Sequence, residues 1–284
     1  MLDSLWSRGG GRRKNVPPAA RLVELDILSP DLGSVFADFS PEVVCHHAGQ
    51  HSVSISNKDP KLDANVNVLG LLNVLEAAVE ARATKVIFAS SAAIYGNPER
   101  LPIDEDSPIA PTSPYGITKM VSEHYLRFFK EEHGLDFTSL RYGNVFGPRQ
   151  DPNGEAGVIA VFIGKFLSQS GVRIDSDGEQ TRDYVYVEDV ARANLQALRH
   201  GSGRCYQIGT GARSSINQLY RALAGITGFE APITWAPRRP GDVRHSQFDV
   251  TRARRELGWQ PAVELSEGLS RTFASFATPD CARV

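Results

Sequence analysis

The feature that most constrains this chain is an alternation of two periodicities through its first two-thirds. Short runs rich in Val, Ile and Phe are separated by longer stretches whose apolar residues recur at helical spacing. Glu42–Ala48 (EVVCHHA), Lys85–Ala89 (KVIFA) and Asp136–Arg141 read as strands. Between the first two, Leu62–Val79 predicts a helix with Val66, Leu69, Leu72, Leu75 and Val79 on one face. Between the last two, Pro114–Glu132 predicts a helix opened by proline, whose missing N–H is no loss in a first turn. Strands joined by helices pair in parallel through right-handed crossovers. The expectation is an α/β fold with a Rossmann-like, doubly wound parallel sheet. After Gly147-Pro148 the composition shifts to short elements broken by Pro and Gly, as in Trp235–Asp242 (WAPRRPGD). This predicts a division into residues 1–150 and a smaller α/β lobe over 151–284, with some segments of the latter returning to the sheet.

Bulk properties narrow the class. The 284 residues carry a formal net charge of −2, so no bulk electrostatic attraction to nucleic acid or an anionic membrane is expected. Cys45, Cys205 and Cys281 are far apart, without metal-type spacing, as in a reduced cytoplasmic protein. His46 and His47 are neighbours on a strand and face opposite sides, with no third ligand nearby, so no metal is expected.

A dinucleotide-binding sheet opens with strand, glycine loop and helix, fingerprint G-x-G-x-x-G. No such string lies here between a strand and a helix. Gly9, Gly10 and Gly11 follow no predicted strand, and Arg12–Pro18 (RRKNVPP) starts no apolar helix, so they read as a surface loop.

The strongest chemical signal is Tyr115-Gly-Ile-Thr-Lys119, a tyrosine and a lysine one helical turn apart on one face. An ammonium beside a phenol favours the phenolate. Lowering tyrosine from ~10 to ~7, where a general base is useful, takes about 4 kcal/mol. One lysine and a bound cationic ring together are of that order. Upstream, Ser90 and Ser91 in Phe88–Gly96 (FASSAAIYG) come just past the carboxyl end of a strand, where open α/β sheets place ligands. A hydroxyl there can orient a substrate hydroxyl for proton loss.

With these motifs the chain resembles the extended short-chain dehydrogenase/reductases, specifically the NAD-dependent nucleotide-sugar epimerase/dehydratase family. The resemblance extends through Leu25-Asp26-Ile27, His46–Gln50, Asn67–Gly70, Ser113–Lys119, Arg141–Gln150, Gly178–Val187, Arg239–Asp242 and Leu257-Gly-Trp259. It implies a tightly held NAD that accepts a hydride from C4 of a UDP-sugar. Tyr115 takes the 4-hydroxyl proton, Lys119 lowers its pKa and bonds the nicotinamide ribose, and Ser91 is the catalytic hydroxyl. The 4-keto sugar then turns over and the hydride returns to its other face. The resemblance also implies NAD contacts from Asp3, Asp26, Ile27, Ala48, Gly49, Gln50, Asn67, Ser90 and Tyr142. Arg182 and Arg239 match diphosphate ligands, Asp242 a nucleotide-ribose ligand and Asn144 a sugar ligand. A homodimer through the helices near 62–80 and 114–132 is implied by the same analogy.

Relatives that dehydrate or decarboxylate place an acid beside the catalytic hydroxyl, but here Ala92 and Ala93 follow Ser91. Oxidation and return at C4 is the chemistry left, on UDP-glucose and UDP-galactose. Ser246 stands where hexose-restricted members have a bulky tyrosine, so UDP-N-acetylhexosamine is an expected additional substrate. The chain departs from the family pattern at Ser176, usually glycine, and at His51. It also lacks the opening glycine fingerprint: Asp3 aligns with the acid on the adenine ribose, so the fold is expected to begin about 30 residues late. On that expectation Met1 is an internal methionine or a misplaced start, and the alternatives to an active epimerase are an impaired remnant that binds nucleotide sugar, or a related dehydratase or decarboxylase.

Overall fold

A computed structural model describes residues 1–6, 11–152, 157–238 and 243–278. The chain divides into two compact units: residues 1–96, 108–141 and 194–206 form the first, and the described residues of 97–107, 142–193 and 207–284 the second.

In the first unit, β1 (Leu2–Asp3) pairs in parallel with β2 (Val23–Glu24). Then come α1 (Leu32–Phe39), β3 (Val43–His46), α2 (Val53–Lys58), α3 (Pro60–Ala64), a π turn over Asn65–Leu69, α4 (Gly70–Glu80), β4 (Lys85–Ser91), α5 (Pro114–His133) and β5 (Asp136–Tyr142). The main sheet has the order β10-β5-β4-β3, with β10 at Arg204–Ile208, and β3 pairs with β4 in parallel. The β1–β2 pair is a separate sheet. Between it and β3 lies a cavity of about 840 Å³, lined by Leu2, Val23, Leu25, Val43 and Cys45 among others.

Local chemistry explains the boundaries. Ser113 caps α5 by accepting from the Gly116 N–H at 3.2 Å, Pro114 occupies the first turn, and Gly134 ends the helix at a left-handed φ of 71°. Leu71, Leu75 and Ala78 of α4 pack with Val86 and Phe88 of β4 and Leu126 and Phe129 of α5. By length and composition the run Pro60–Glu80 is apolar enough to cross a membrane. Its apolar side is instead buried in this core.

One expected helix face needs correcting. The stripe Val66-Leu69-Leu72-Leu75-Val79 is not the buried one: Leu69 is half exposed, while Gly70, Leu71, Val74, Leu75, Ala77 and Ala78 are buried. The cause is the π turn, in which the Gly70 N–H donates to the Asn65 carbonyl. A wider turn takes an extra residue, so a stripe counted at constant 3.6-residue period falls out of phase.

The second unit contains β6 (Asn144–Phe146), α6 (Val158–Leu167), β7 (Val172–Asp175), β8 (Thr181–Arg182), β9 (Tyr184–Tyr186), most of α7 (Val187–Ala197), β11 (Ser214–Ser215), α8 (Ile216–Thr227), β12 (Ile233–Ala236) and α9 (Leu265–Ala277). Its strands pair two by two: β6–β9 and β7–β12 in parallel, β8–β11 antiparallel. Phe162, Ile163, Phe166, Leu219, Leu223 and Leu269 form its core. Ser176 adopts φ 60°, in the left-handed region that favours glycine. The sequence departure there is thus a strained turn.

Candidate active site

The site of the first unit is built where β4 ends. Ser91 closes the strand, and its hydroxyl accepts from the Ala93 N–H at 3.2 Å, capping a 3-10 turn over Ala92–Tyr95. The first turn of α5 presses on that turn. A Cβ at Gly116 would stand 2.5 Å from the Ala93 carbonyl, so glycine between Tyr115 and the rest of the helix is what permits the approach. Ser91 and Tyr115 are brought into hydrogen-bond contact as a result.

Lys119 follows one turn later and is buried. Its Nζ donates to the Ala89 carbonyl at 2.8 Å and stands 4.8 Å from the Phe88 ring centre and 5.8 Å from that of Tyr115. Burial pulls its pKa down to about 8, against the raising fields of Asp63 and Glu123. Burial pushes Tyr115 up to about 12, outweighing the lowering hydrogen bond from Ser91, and the Asp63 carboxylate pushes it further in the same direction. The expected lowering of the tyrosine by Lys119 is therefore not what dominates in the protein alone. Loss of solvation of the phenolate dominates. His46, stacked on Phe88, is held neutral, its pKa pulled down to about 3 by burial and by Lys119 and His47.

The residues expected near NAD fall into two groups. Asp3, Asp26, Ile27, Ala48 and Gly49 line the cavity beside β3. The Asp3 carboxylate accepts from the Leu5 N–H at 2.7 Å and that of Asp26 from the Leu28 N–H at 2.8 Å. These turns hold two carboxylates at strand ends, as acceptors suited to ribose hydroxyls. A Cβ at Gly49 would come 2.9 Å from Asn67 Oδ1, so the backbone there is kept bare and close. Volume, paired acceptors and a bare glycine fit a dinucleotide.

Gln50, Asn67 and Ser90 are engaged within the protein. The Gln50 N–H donates to Asn67 Oδ1 at 2.8 Å, and Asn67 Nδ2 donates back to the Gln50 carbonyl at 2.9 Å. Gln50 Nε2 donates to the Ser52 carbonyl and to Asp63. The Ser90 hydroxyl donates to Glu123 Oε1 at 2.8 Å. Tyr142 is half-buried at the end of β5. Sequence reading missed Asp63, Glu123 and Arg141. Helical spacing offered a signal for the first two: Asp63 is one turn before Asn67, and Glu123 one turn after Lys119.

In the second unit, Arg182 lies on β8 with Nη1 donating to the Thr181 carbonyl at 2.9 Å. Ser246 is buried, and its N–H donates to that same carbonyl at 3.1 Å. Burial, then the fields of Arg213, Arg244 and Arg182, hold His245 below its ordinary range. Three guanidiniums thus gather around one strand pairing. Asn144 is exposed on β6. Buried Asp183 fixes this region: it accepts from the N–H and hydroxyl of Thr210, each at 2.7 Å, from Gly211 N–H at 3.0 Å and from Phe248 N–H at 3.2 Å. Arg239 and Asp242 lie outside the described residues, as do Gly9 and Gly10.

A strand-end serine touching the tyrosine of a Tyr-x-x-x-Lys helix, beside a dinucleotide-sized cavity, defines a short-chain dehydrogenase/reductase type of site. The model of the NAD-dependent epimerase/dehydratase family matches residues 4–209, and the chain belongs to that family. It is 42% identical over 282 residues to the UDP-glucose 4-epimerase of Mycolicibacterium smegmatis, covering 97% of this chain and 89% of that protein. It superposes with TM-score 0.94 on the UDP-glucose 4-epimerase of Thermotoga maritima solved with UDP-glucose, at 44% identity, covering 97% of this chain and 89% of that one. The Thermus thermophilus UDP-glucose 4-epimerase, solved with NAD, gives TM-score 0.93 at 39% identity, covering 98% and 90%.

Proposed function

We propose that this chain is an NAD-dependent 4-epimerase of UDP-sugars, interconverting UDP-glucose and UDP-galactose. The observation that carries the reading is Ser91 in contact with Tyr115 while the turn after Ser91 presents only Ala92 and Ala93. The site has a base and an orienting hydroxyl but no carboxylic acid on that turn to expel a neighbouring hydroxyl.

NAD, when bound, supplies the hydride acceptor and a positive ring. Asp3 and Asp26 are the residues to hold its ribose hydroxyls, and Gly49 and Lys119 to flank its nicotinamide end. Ser91 orients the sugar 4-hydroxyl, and Tyr115 Oη takes its proton and later returns it. Tyr115 sits at about 12 in the protein alone, so this transfer relies on positive charge arriving with the ligands. In the second unit Arg182, with Arg239 and Asp242, is assigned to the nucleotide diphosphate and ribose. Fork-shaped guanidiniums suit phosphate. Asn144 is assigned to the sugar, and Ser246, small where a tyrosine would fill space, admits an N-acetyl group. The reading carries a cytoplasmic setting and a homodimer through the helices over 62–80 and 114–132, where Leu69, Ile117 and Phe128 stand exposed.

The test incubates purified chain with NAD and UDP-galactose and follows UDP-glucose with a coupled dehydrogenase. NAD-dependent conversion is expected, and UDP-N-acetylgalactosamine is expected to turn over too. A 4-keto-6-deoxy product would make it a dehydratase, and no turnover of any UDP-sugar would sink the reading.

A further inference from the structure

Asp63 is a fully buried carboxylate that the chemistry above does not use. It sits in α3, one turn before the π turn, and touches three residues of the site. Oδ1 accepts from Gln50 Nε2 at 2.7 Å and from Asn67 Nδ2 at 3.0 Å. Oδ2 accepts from the Thr118 hydroxyl at 2.8 Å. Thr118 stands between Tyr115 and Lys119, and its hydroxyl also lies 3.0 Å from the Tyr115 carbonyl. One carboxylate therefore ties the helix turn that carries the tyrosine and lysine to the segment that carries Gly49 and Asn67.

Its charge has a destination too. The groups whose fields meet around Lys119 are Tyr115 and Glu123 on α5, His46 and His47 at the end of β3, and Asp63. Both histidines are pushed toward neutrality by burial. Glu123 is matched by the Arg141 guanidinium at 2.6 Å. Asp63 is left as the carboxylate that Lys119 does not share with an arginine among the described residues.

We propose that Asp63 is a positioning residue and counter-ion for the Tyr115–Lys119 pair: through Thr118 it fixes the turn of α5 that carries both, and its negative charge keeps the Lys119 ammonium protonated. Its link to activity rests on the epimerase reading; its effect on Lys119 does not. Lys119 is already brought down to about 8 by burial, and removing a neighbouring negative charge lowers it further.

A neutral isostere separates the two roles. In Asp63→Asn, Oδ1 still accepts from Gln50 and Asn67, while Nδ2 donates to the Thr118 hydroxyl, whose hydrogen turns to the Tyr115 carbonyl. Geometry is kept and charge is lost. In Asp63→Ala both go. The experiment labels lysine with a carbon isotope in the full chain and follows the Lys119 resonance, identified by its absence in Lys119→Met, against pH. A pH profile of kcat is recorded on the same proteins. In Asp63→Asn, thermal stability close to the unsubstituted chain is expected, with both the Lys119 titration and the alkaline limb of kcat moved to lower pH. Asp63→Ala is expected to lose stability as well. A folded Asp63→Asn in which Lys119 titrates at an unchanged pH would overturn the proposal. Asp63→Ser is measured in parallel, and unfolding of both charge-free variants would overturn it too, by making Asp63 a requirement of folding alone. An unsubstituted chain that turns over no UDP-sugar counts against the epimerase reading, while the Lys119 titration still decides this one.

Discussion

Arg141 and Glu123 form a two-pronged ion pair beneath the end of β4: Nε donates to Oε1 at 2.9 Å and Nη2 to Oε2 at 2.6 Å. The same carboxylate accepts from the hydroxyls of Ser90 and Ser139. Both side chains are almost wholly removed from solvent, so this is a desolvated charge pair whose lone pairs are filled by neutral donors.

Glu123→Leu leaves the guanidinium buried without its partner. A loss of about 3–5 kcal/mol is expected in denaturant unfolding. Glu123→Leu with Arg141→Met, apolar on both sides, is expected to recover much of that. Equal losses in single and double variants would mean the pair is not the cause.

Tyr115→Phe keeps the ring over which Lys119 sits and removes only the hydroxyl. A fall in kcat of about 10²–10⁴-fold is expected, with KM little changed, because the missing group acts on a proton rather than on binding. Steady-state kinetics on UDP-galactose reads both constants.

Gly49→Ala places a methyl 2.9 Å from Asn67 Oδ1, the acceptor of the Gln50 N–H. Asn67 must move or the β3–α2 connection must lift. NAD affinity, by calorimetric titration, is expected to weaken about tenfold, which is ~1.4 kcal/mol.

His46 titrates near 6.5 when unfolded and about 3 in the fold. The unfolded chain binds the extra proton between those values, so stability is full above about pH 6.5 and declines as pH falls toward 3. His47 shifts the same way. His46→Gln removes its share, so the stability difference between the two proteins, followed by denaturant midpoint, is expected to change across this window and to be flat above it.

Ser176→Gly relieves a left-handed turn at φ 60°. The relief, of about 1–2 kcal/mol, is offset in part by the larger freedom of glycine in the unfolded chain. A net gain of roughly 0.5 kcal/mol and a Tm rise of about 1–2 °C are expected.

What the sequence made legible was local. β4 and α5 follow from Val, Ile and Phe runs, a Ser113 cap and Pro114, and the Tyr115-x-x-x-Lys119 spacing placed both groups on one face before any coordinates. The split between the β1–β2 pair and the main sheet matches the missing strand-loop-helix signal. What stayed hidden depends on pairings distant in sequence. Asp63 reaches Thr118 across 55 residues and Ser90 reaches Glu123 across 33, and no periodicity reports such contacts. The tyrosine pKa was misjudged for a related reason: spacing shows which charge is near, and only burial shows how much solvation is lost.

The π turn over Asn65–Leu69 makes this site sensitive to chain length in a way that it is not to side-chain identity. Each residue of a helix accounts for about 100° of rotation. Deleting a single residue between Asn65 and Leu69 would restore a regular helix and swing Asp63 by that angle relative to the apolar residues of α4. Gln50 and Thr118 would then face a different side of the helix. Point changes at the exposed Asn65 leave the angle alone. Among variants of this chain, a one-residue gap in this stretch therefore marks a disconnected site even where every chemically reactive residue is retained.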